Sequence, residues 1–333
     1  MTRKPAGSSG GAQSDGAGEA SDMRSTEPRI SSNPVTEEIR RMMAGQSFAS
    51  LDEAQAVIDR ITHRHNRTPN ADFEGLTPEQ MMWMLHHPFD AAHIAEFAPF
   101  PITAPDAPVA RLFDFLVKAV GDAGVKLTAT GNLPLSVVRP VALAYWGEDL
   151  HAQMTRYGIL QSETKFRDLN TLRETARMAG LVRKSTGKFF ITRTCRASMD
   201  KHGIAAPYAV LLRVFAGRYN WGYRDYYPEL SIVQDSFLFS LYLIHRYGET
   251  WREKSFYEDA LIRAFPMALD QIPPEPYSTP ERTLRRCYSL RFLQRFAEFF
   301  GLIETEKTSD DYLDNRFRLR KGPLLEEAVT FHI

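Results

Sequence analysis

The chain has 333 residues, of which 43% are hydrophobic and 11% aromatic, and its 41 basic side chains balance its 41 acidic ones. This composition supplies enough apolar surface for a sizeable core and excludes a wholly disordered or collagen-like protein. Because the net charge is zero, the overall charge gives no reason to expect binding to nucleic acid or to anionic membranes. Local patches of one sign are still compatible with this composition. The length predicts about two packed units.

Cysteine usage and hydropathy bear on the compartment. Cys195 and Cys287 are too few and too far apart for a disulfide scaffold, a zinc ribbon or a Cys-x-x-Cys motif. The N-terminus runs into Ser and Gly where a secretory signal would be apolar. The longest strongly apolar run, Phe237 to Ile244, is far shorter than the roughly 20 residues that span a bilayer. These features favour a cytoplasmic protein with no membrane partner.

The first 108 residues divide into two segments. Residues 1–34 are rich in Ser, Gly and Pro and lack aromatic side chains, which predicts a disordered tail. Residues 35–108 are predicted to form a small helical segment that ends in a Pro-rich connector. Capping boxes at Ser50 and Thr77 predict one helix over about 51–66 and a second that stops before Pro88.

Residues 109–200 carry the clearest pattern. An amphipathic helix over 109–120 is followed by a short strand at 125–128 and by helices over 132–146 and 169–179. A hairpin is predicted with strands at 181–184 and 188–192, because Ser185, Thr186 and Gly187 form a turn sequence between them. This order is that of a winged helix-turn-helix unit. Pro140 inside the second helix is expected to kink it.

A related pattern returns near the C-terminus. Five residues match at an offset of 121: Leu172, Ala176, Gly180, Leu181 and Val182 correspond to Leu293, Ala297, Gly301, Leu302 and Ile303. Three more match at an offset of 128: Lys188, Phe189 and Ile191 correspond to Arg316, Phe317 and Leu319. The fold class predicted is therefore mainly α with short β-hairpins. It has a winged-helix-like unit at 109–200, a helical, aromatic-rich bridge at 201–277 and a second winged-helix-like unit at 278–333.

Three short strings carry a family resemblance: Gly75 to Met81 (GLTPEQM), Pro88-Phe89, and Lys126 to Leu133 (KLTATGNL). They are similar to a pattern in bacterial proteins of uncharacterised function, in which a GLSPEQM…PF segment precedes a KLTxxGNLP segment. The resemblance covers about residues 73–195, with Thr77 where Ser is more usual. It implies no catalytic residue and no cofactor.

Charge is segregated along the chain. Residues 165–201 contain ten basic and three acidic residues, whereas residues 35–110 contain five basic and eleven acidic ones. In a winged helix the third helix can enter the major groove and the hairpin can touch the backbone. The candidate nucleic-acid-binding residues are therefore Arg173, Arg177, Arg183, Lys184 and Lys188. The alternative is that this segment pairs with the acidic N-terminal segment or with a partner protein.

Two other clusters favour structural interpretations. Six aromatic residues between Phe215 and Tyr227 could stack on unpaired bases, but such clusters more often pack a junction between helices. Five histidines between His63 and His93 lack the spacing of metal ligands, so no metal site is predicted.

The sequence carries no catalytic motif, which favours a protein without enzyme activity and without a cofactor. Two functions stay open. The first is an interaction or structural module that binds a protein partner or itself through its winged helices. The second is a nucleic-acid-binding, regulatory protein that uses the basic segment at 165–201.

Overall fold

A computed structural model describes residues 34–45, 48–158, 160–309 and 315–333. The tail predicted over residues 1–34 lies outside the described residues except for Pro34. The chain divides into two compact units, residues 1–62 and 63–333. The first unit holds α1 (Pro34–Gly45) and most of α2 (Leu51–Asn66).

The start of α2 is capped as its sequence predicts. The backbone N–H of Glu53 donates to Oγ of Ser50 at 3.2 Å, and the Glu53 carboxylate accepts from the backbone N–H of Ala49 at 2.7 Å. The first bond satisfies an amide that the first helical turn cannot pair internally, and the second fixes the residue that precedes the cap.

The second unit is mainly helical, with small antiparallel sheets. Its helices are α3 (Pro78–His86), α4 (Pro108–Val120), α5 (Leu135–Arg156), α6 (Arg167–Met178), α7 (Arg193–His202), α8 (Ala205–Gly217), α9 (Ser231–Asp235), α10 (Phe237–Tyr247), α11 (Lys254–Ala264), α12 (Pro280–Tyr288), a π-helix (Ser289–Glu298) and α13 (Pro323–Ala328). Its strands are β1 (Ala95–Phe97), β2 (Val125–Lys126), β3 (Val182–Ser185), β4 (Lys188–Ile191), β5 (Arg252–Glu253), β6 (Ile303–Lys307), β7 (Phe317–Lys321) and β8 (Val329–Phe331).

The first three-stranded sheet contains the predicted hairpin. Strands β3 and β4 are joined by Thr186 and Gly187, both with positive φ, as a two-residue turn between twisted strands requires. Strand β2 adds to the other side of β4, so the sheet order is β2-β4-β3.

Helix α5 extends ten residues beyond the predicted end at Trp146. Its non-helical backbone lies at Gly147 (φ 78°) and not at Pro140, where the kink was expected.

The second three-stranded sheet repeats this arrangement with the order β5-β7-β6. Each sheet is preceded by a helix, α4 in one case and α10 in the other. Helices α5 and α6 lie between the first and second strands of the first sheet, and α11, α12 and the π-helix lie between those of the second. The repeat seen in the sequence is preserved, because Gly180 and Gly301 adopt φ values of 70° and 69° where a helix meets a strand. Strand β5 lies within the segment assigned to the helical bridge, yet it pairs with β7.

Both sheets lie against one continuous hydrophobic core. At its centre the ring of Phe296 lies 5.0–6.0 Å, between centroids, from five other aromatic rings, those of Phe215, Trp221, Phe237, Phe292 and Phe300. The aromatic residues singled out from the sequence therefore separate into two groups. Phe215 and Trp221 are core residues, whereas Tyr223 and Tyr226 are 49% and 100% exposed.

Candidate nucleic-acid interface

The outer face of the first sheet is basic. Residues paired across an antiparallel ladder point to the same face, and successive residues alternate between faces. Phe189 is buried in the core, so its neighbour Lys188 and the residue paired with Lys188, Lys126, lie on the opposite face. Arg183 shares that outer face with Phe190, its partner in the register. Three exposed cations thus lie together on one sheet surface.

These cations have no carboxylate partners. Within the described part of the chain, no ion pair joins Lys126, Arg183, Lys184 or Lys188 to an acidic side chain. The guanidinium of Arg183 instead stacks over the ring of Phe190, 5.2 Å from its centroid. Like charges directly opposite each other destabilise a sheet, so the pairing of Lys126 with Lys188 does not serve stability.

Lys184 occupies a different position from Arg183 and Lys188. Its partner in the register is Phe189, which places it on the face of the sheet that is turned towards the core. Its side chain is nevertheless exposed, because β3 is an edge strand, and it extends beside Gly131. Lys184 therefore adds positive charge at the edge of the basic face.

Arg173 is held in a buried ion-pair network. Its side chain is only 14% exposed, and its Nε lies 2.6 Å from Oε1 of Glu163, whose side chain is fully buried. Nη1 of Arg173 also donates to the carbonyl of Gly131 at 3.1 Å. The backbone N–H of Leu133 donates to the same glutamate at 2.6 Å. The guanidinium is neutralised within the fold, so Arg173 fixes the loop before α5 and does not present its charge to a phosphate.

Arg177 is exposed but paired. Its Nε donates to Oε2 of Glu174 at 3.0 Å, while the other oxygen of Glu174 lies 3.1 Å from Nη2 of Arg173. The two arginines do share one face of α6, as their spacing predicts, and Glu174 lies between them. Surface pairs of this kind contribute about 0–1 kcal/mol, so Arg177 can exchange this partner at little cost.

Helix α6 contacts the segment that follows α8 at Thr171 and at its last residue, Met178. The hydroxyls of Tyr219 and Thr171 lie 3.4 Å apart, and Nη1 of Arg218 donates to the carbonyl of Met178 at 3.3 Å. Residues of α6, of this segment and of the π-helix together line a cavity of about 750 Å³. These contacts, with the ion pair of Arg173 and Glu163, hold α6 in the fold, and its entry into a major groove stays a prediction.

Glu298, on the π-helix, contributes a carboxyl to this cavity. Burial raises its pKa, and the hydroxyl of Thr305, which donates to Oε1 at 2.5 Å, opposes part of this rise. A carboxyl whose pKa is higher in the folded than in the unfolded state makes the fold less stable as the pH rises through that interval.

We expect Glu298→Gln to be more stable than the wild type at neutral pH, because the amide keeps the acceptor for Thr305 and carries no charge. The gain should vanish towards about pH 3, where the carboxyl is protonated in both states because the unperturbed pKa of Glu is about 4.3. Urea denaturation at both pH values measures it, with Glu148→Gln, an exposed carboxyl on α5, as the control. If Glu298→Gln and the wild type differed in their free energy of unfolding by the same amount at both pH values, this explanation would be contradicted.

Comparison of the chain with protein-family models, with curated proteins and with solved structures gives no match. Among the helices of the described ranges, none combines the length and the apolarity needed to cross a bilayer. In the same ranges, no three His, Cys, Asp or Glu side chains lie where they could hold one metal ion.

Proposed function

We propose that the chain is a non-enzymatic protein with two winged-helix units, and that the first unit binds nucleic acid through the outer face of the sheet β2-β4-β3. The assignment of the units is supported by their shared order of helices and strands and by the equivalent sheet orders. On this proposal the second unit begins at α10 and includes β5, because β5 completes its sheet.

The observation that carries the proposal is the difference between the two sheets. In the second sheet, Arg318 and Arg320 lie 2.6 Å and 2.5 Å from the carboxylates of Glu306 and Glu304, and both guanidiniums stack on Trp251. Glu304 stands 121 residues after Arg183, at the equivalent position of the repeat. Arg318 and Arg320 of the second sheet thus have carboxylate partners within the sheet, whereas Lys126, Arg183 and Lys188 of the first have none among the described residues.

Unpaired cations on a sheet surface suit a polyanion. The nucleic-acid backbone carries closely spaced phosphates, and each phosphate neutralised by Lys or Arg releases a counterion. Because the unpaired cations lie on a sheet face and Arg173 of α6 is held by Glu163, the contacts expected are to phosphates and not to base edges. Binding should therefore be strongly salt-dependent and nearly independent of sequence. The second unit then serves as a packing module, which retains the structural role considered from the sequence.

The test is the salt dependence of duplex DNA binding, followed by fluorescence anisotropy. The variant Lys126→Gln/Arg183→Gln/Lys188→Gln removes three charges from the outer face of the first sheet. We expect it to weaken binding and to lower the slope of log affinity against log salt by roughly 2–3, at about 0.9 for each phosphate contact. The fold should survive, because exposed substitutions change stability by about 0.5 kcal/mol or less.

The matched control is Lys307→Gln/Arg318→Gln/Arg320→Gln, which removes the same charge from the second sheet. This control should keep the wild-type slope. No binding by the wild-type protein at low salt would overturn the nucleic-acid proposal and leave only the interaction-module function. Equal losses in the two triple variants would show that total charge, and not the outer face of the first sheet, governs binding.

A further inference from the structure

The cavity beside α6 has the dimensions of a ligand site. Its volume of about 750 Å³ lies within the range of 300–1,000 Å³ that is usual for small-molecule pockets. The first half of α6, the segment 219–226 and the π-helix supply most of its walls. The helices that precede the two hairpins, α6 and the π-helix, therefore meet at one cavity.

Arg295 is the unsatisfied group of this cavity. Its side chain is 17% exposed, and its Nε and Nη2 are buried with no hydrogen-bond partner. Only Nη1 approaches a carboxylate, at 3.5 Å from Oδ2 of Asp225. That carboxylate already accepts two hydrogen bonds from Arg291, at 2.6 and 3.1 Å. Buried donors are nearly always paired in proteins, so two unpaired ones on a cavity wall need an explanation.

A bound anion would supply the missing acceptors. Because Nε and Nη2 make no hydrogen bonds, the guanidinium of Arg295 can turn towards the cavity without breaking one. Arg167, exposed at the start of α6, lines the same cavity. Burial, together with the positive charge of Arg167, lowers the pKa of Arg295. An anion between the two guanidiniums would relieve their repulsion.

The other charged side chains at the rim of the cavity are also positive. Lys165 and Arg224 are exposed lining residues, and neither forms an ion pair within the described ranges. The carboxyls of the cavity are Asp168 and Glu298, and burial raises the pKa of both, which disfavours their charged forms. The electrostatics of the cavity therefore favour an anion over a cation.

The other walls are aromatic. Phe215 and Trp221 are buried, and Tyr219 stacks on Phe215 with ring centroids 5.1 Å apart. Tyr223 and Tyr226 are the exposed lining rings noted above. Flat aromatic surfaces favour a ligand with a planar ring.

The segment that carries the exposed rings is strained. Arg224 and Tyr226 both have positive φ, 59° and 65°, on either side of the buried Asp225. Positive φ is costly for side chains other than glycine, and such strain persists where surrounding contacts enforce it, often at ligand sites. The Asp225–Arg291 ion pair supplies that enforcement and fixes both tyrosines at the rim.

We propose that this cavity binds a small organic anion with a planar ring, its anionic group at Arg295 and Arg167 and its ring against the aromatic wall. A nucleoside monophosphate and an aromatic carboxylate share this chemistry. The proposal does not depend on nucleic-acid binding by the first sheet, since it uses none of the same residues.

The test is isothermal titration calorimetry on the full chain with adenosine monophosphate and with hydroxybenzoate. Adenosine, phenol and inorganic phosphate are the comparison compounds. We expect at least one ring-bearing anion to bind, and we expect the neutral compounds and inorganic phosphate to bind at least about tenfold more weakly. Which of the two anions binds more tightly identifies the source of the anionic group.

Two variants locate the site. Arg295→Met and Arg167→Gln should each weaken binding about tenfold or more, because each removes a charged donor. Arg193→Gln is the matched control for Arg167→Gln, since both arginines are exposed first residues of a helix and Arg193 lies outside the cavity. Circular dichroism checks the fold of Arg295→Met, and if that variant fails to fold, the exposed Arg167→Gln decides the test.

Three results would overturn the proposal. The first is that neither ring-bearing anion binds the wild-type protein. The second is that a neutral compound or inorganic phosphate binds as tightly as the ring-bearing anion. The third is that the folded cavity variants retain wild-type affinity. If the cavity binds no anion, the salt dependence of DNA binding is unaffected. The two proposals can therefore be tested, and rejected, independently of each other.

Discussion

Replacing Arg291 by Met is expected to lower the free energy of unfolding by about 3–5 kcal/mol, because the buried Asp225 carboxylate loses the arginine that donates two hydrogen bonds to it and keeps only Arg295, at 3.5 Å. The side chains of Arg291 and Asp225 are 3% and 0% exposed. Arg291 also donates to the carbonyl of Pro228 at 3.0 Å, and Asp225 accepts from the backbone N–H of Tyr227 at 3.1 Å. The ion pair therefore holds the strained segment at two backbone positions. Urea denaturation of the wild type and of Arg291→Met measures the change in the free energy of unfolding.

The double variant Asp225→Asn/Arg291→Met separates the effect of a buried carboxylate that has lost its hydrogen-bonding arginine from the effect of losing the ion pair itself. With the carboxylate removed as well, no carboxylate is left buried without its hydrogen-bonding arginine, and Arg295 loses only a long contact of 3.5 Å, so the loss should be smaller than in Arg291→Met alone. Hydrogen exchange in residues 219–230 should increase in both variants, because both lose the ion pair that enforces the strain. Arg318→Met is the exposed control, for which a loss of no more than about 1 kcal/mol is expected. If Arg291→Met lowered the free energy of unfolding by a similarly small amount, the Asp225–Arg291 ion pair would not hold this segment in place.

Replacing Phe296 by Ala is expected to cost about 3–5 kcal/mol, the usual range for a fully buried aromatic ring. Phe296 is 0% exposed and lies among the five other rings of the central aromatic cluster. Its removal leaves a cavity that this rigid cluster cannot readily fill, and it also removes several ring-to-ring contacts. Thermal or urea unfolding followed by far-ultraviolet dichroism measures the loss.

Phe100→Ala provides the comparison for this substitution. Phe100 is 45% exposed and stacks on His202, so truncating it removes much less buried area. We expect its cost to be about 1 kcal/mol or less. Equal costs for the two substitutions would mean that the aromatic cluster does not form the centre of the core.

Elements with local sequence signals could be predicted. The Thr77 capping box, the apolar stripe of α4 and the turn at Thr186-Gly187 are each encoded within a few residues, and each lies where the sequence places it. The helix ends at Gly180 and Gly301 also follow from local chemistry, because glycine adopts positive φ without strain. Strand β5 has two residues and no periodicity, so nothing in the sequence distinguishes it from a loop.

Charges were predicted less well than helices, because their effect depends on distant partners. The spacing of Arg173 and Arg177 correctly places both on one face of α6. It does not reveal that Glu163, before the helix, neutralises Arg173. Lys126 was missed because its place beside Lys188 depends on the strand register, and Arg295 because its cavity is assembled from distant segments. The available signal was the spacing of Arg291 and Arg295, four residues apart in a helix that also carries Leu290, Phe292, Leu293 and Phe296.

The pairing of β5 with β7 determines where the chain can be divided into separately expressed pieces. A fragment that starts at residue 278 would contain β6 and β7 but not Arg252 and Glu253, which pair with Leu319 and Arg318. The uncovered side of β7 would then be an open edge whose free N–H and C=O groups can recruit another molecule. The same fragment would expose core side chains that α10 and α11 now cover, such as Leu319. Fragments intended for crystallisation or interaction screens should therefore begin before α10.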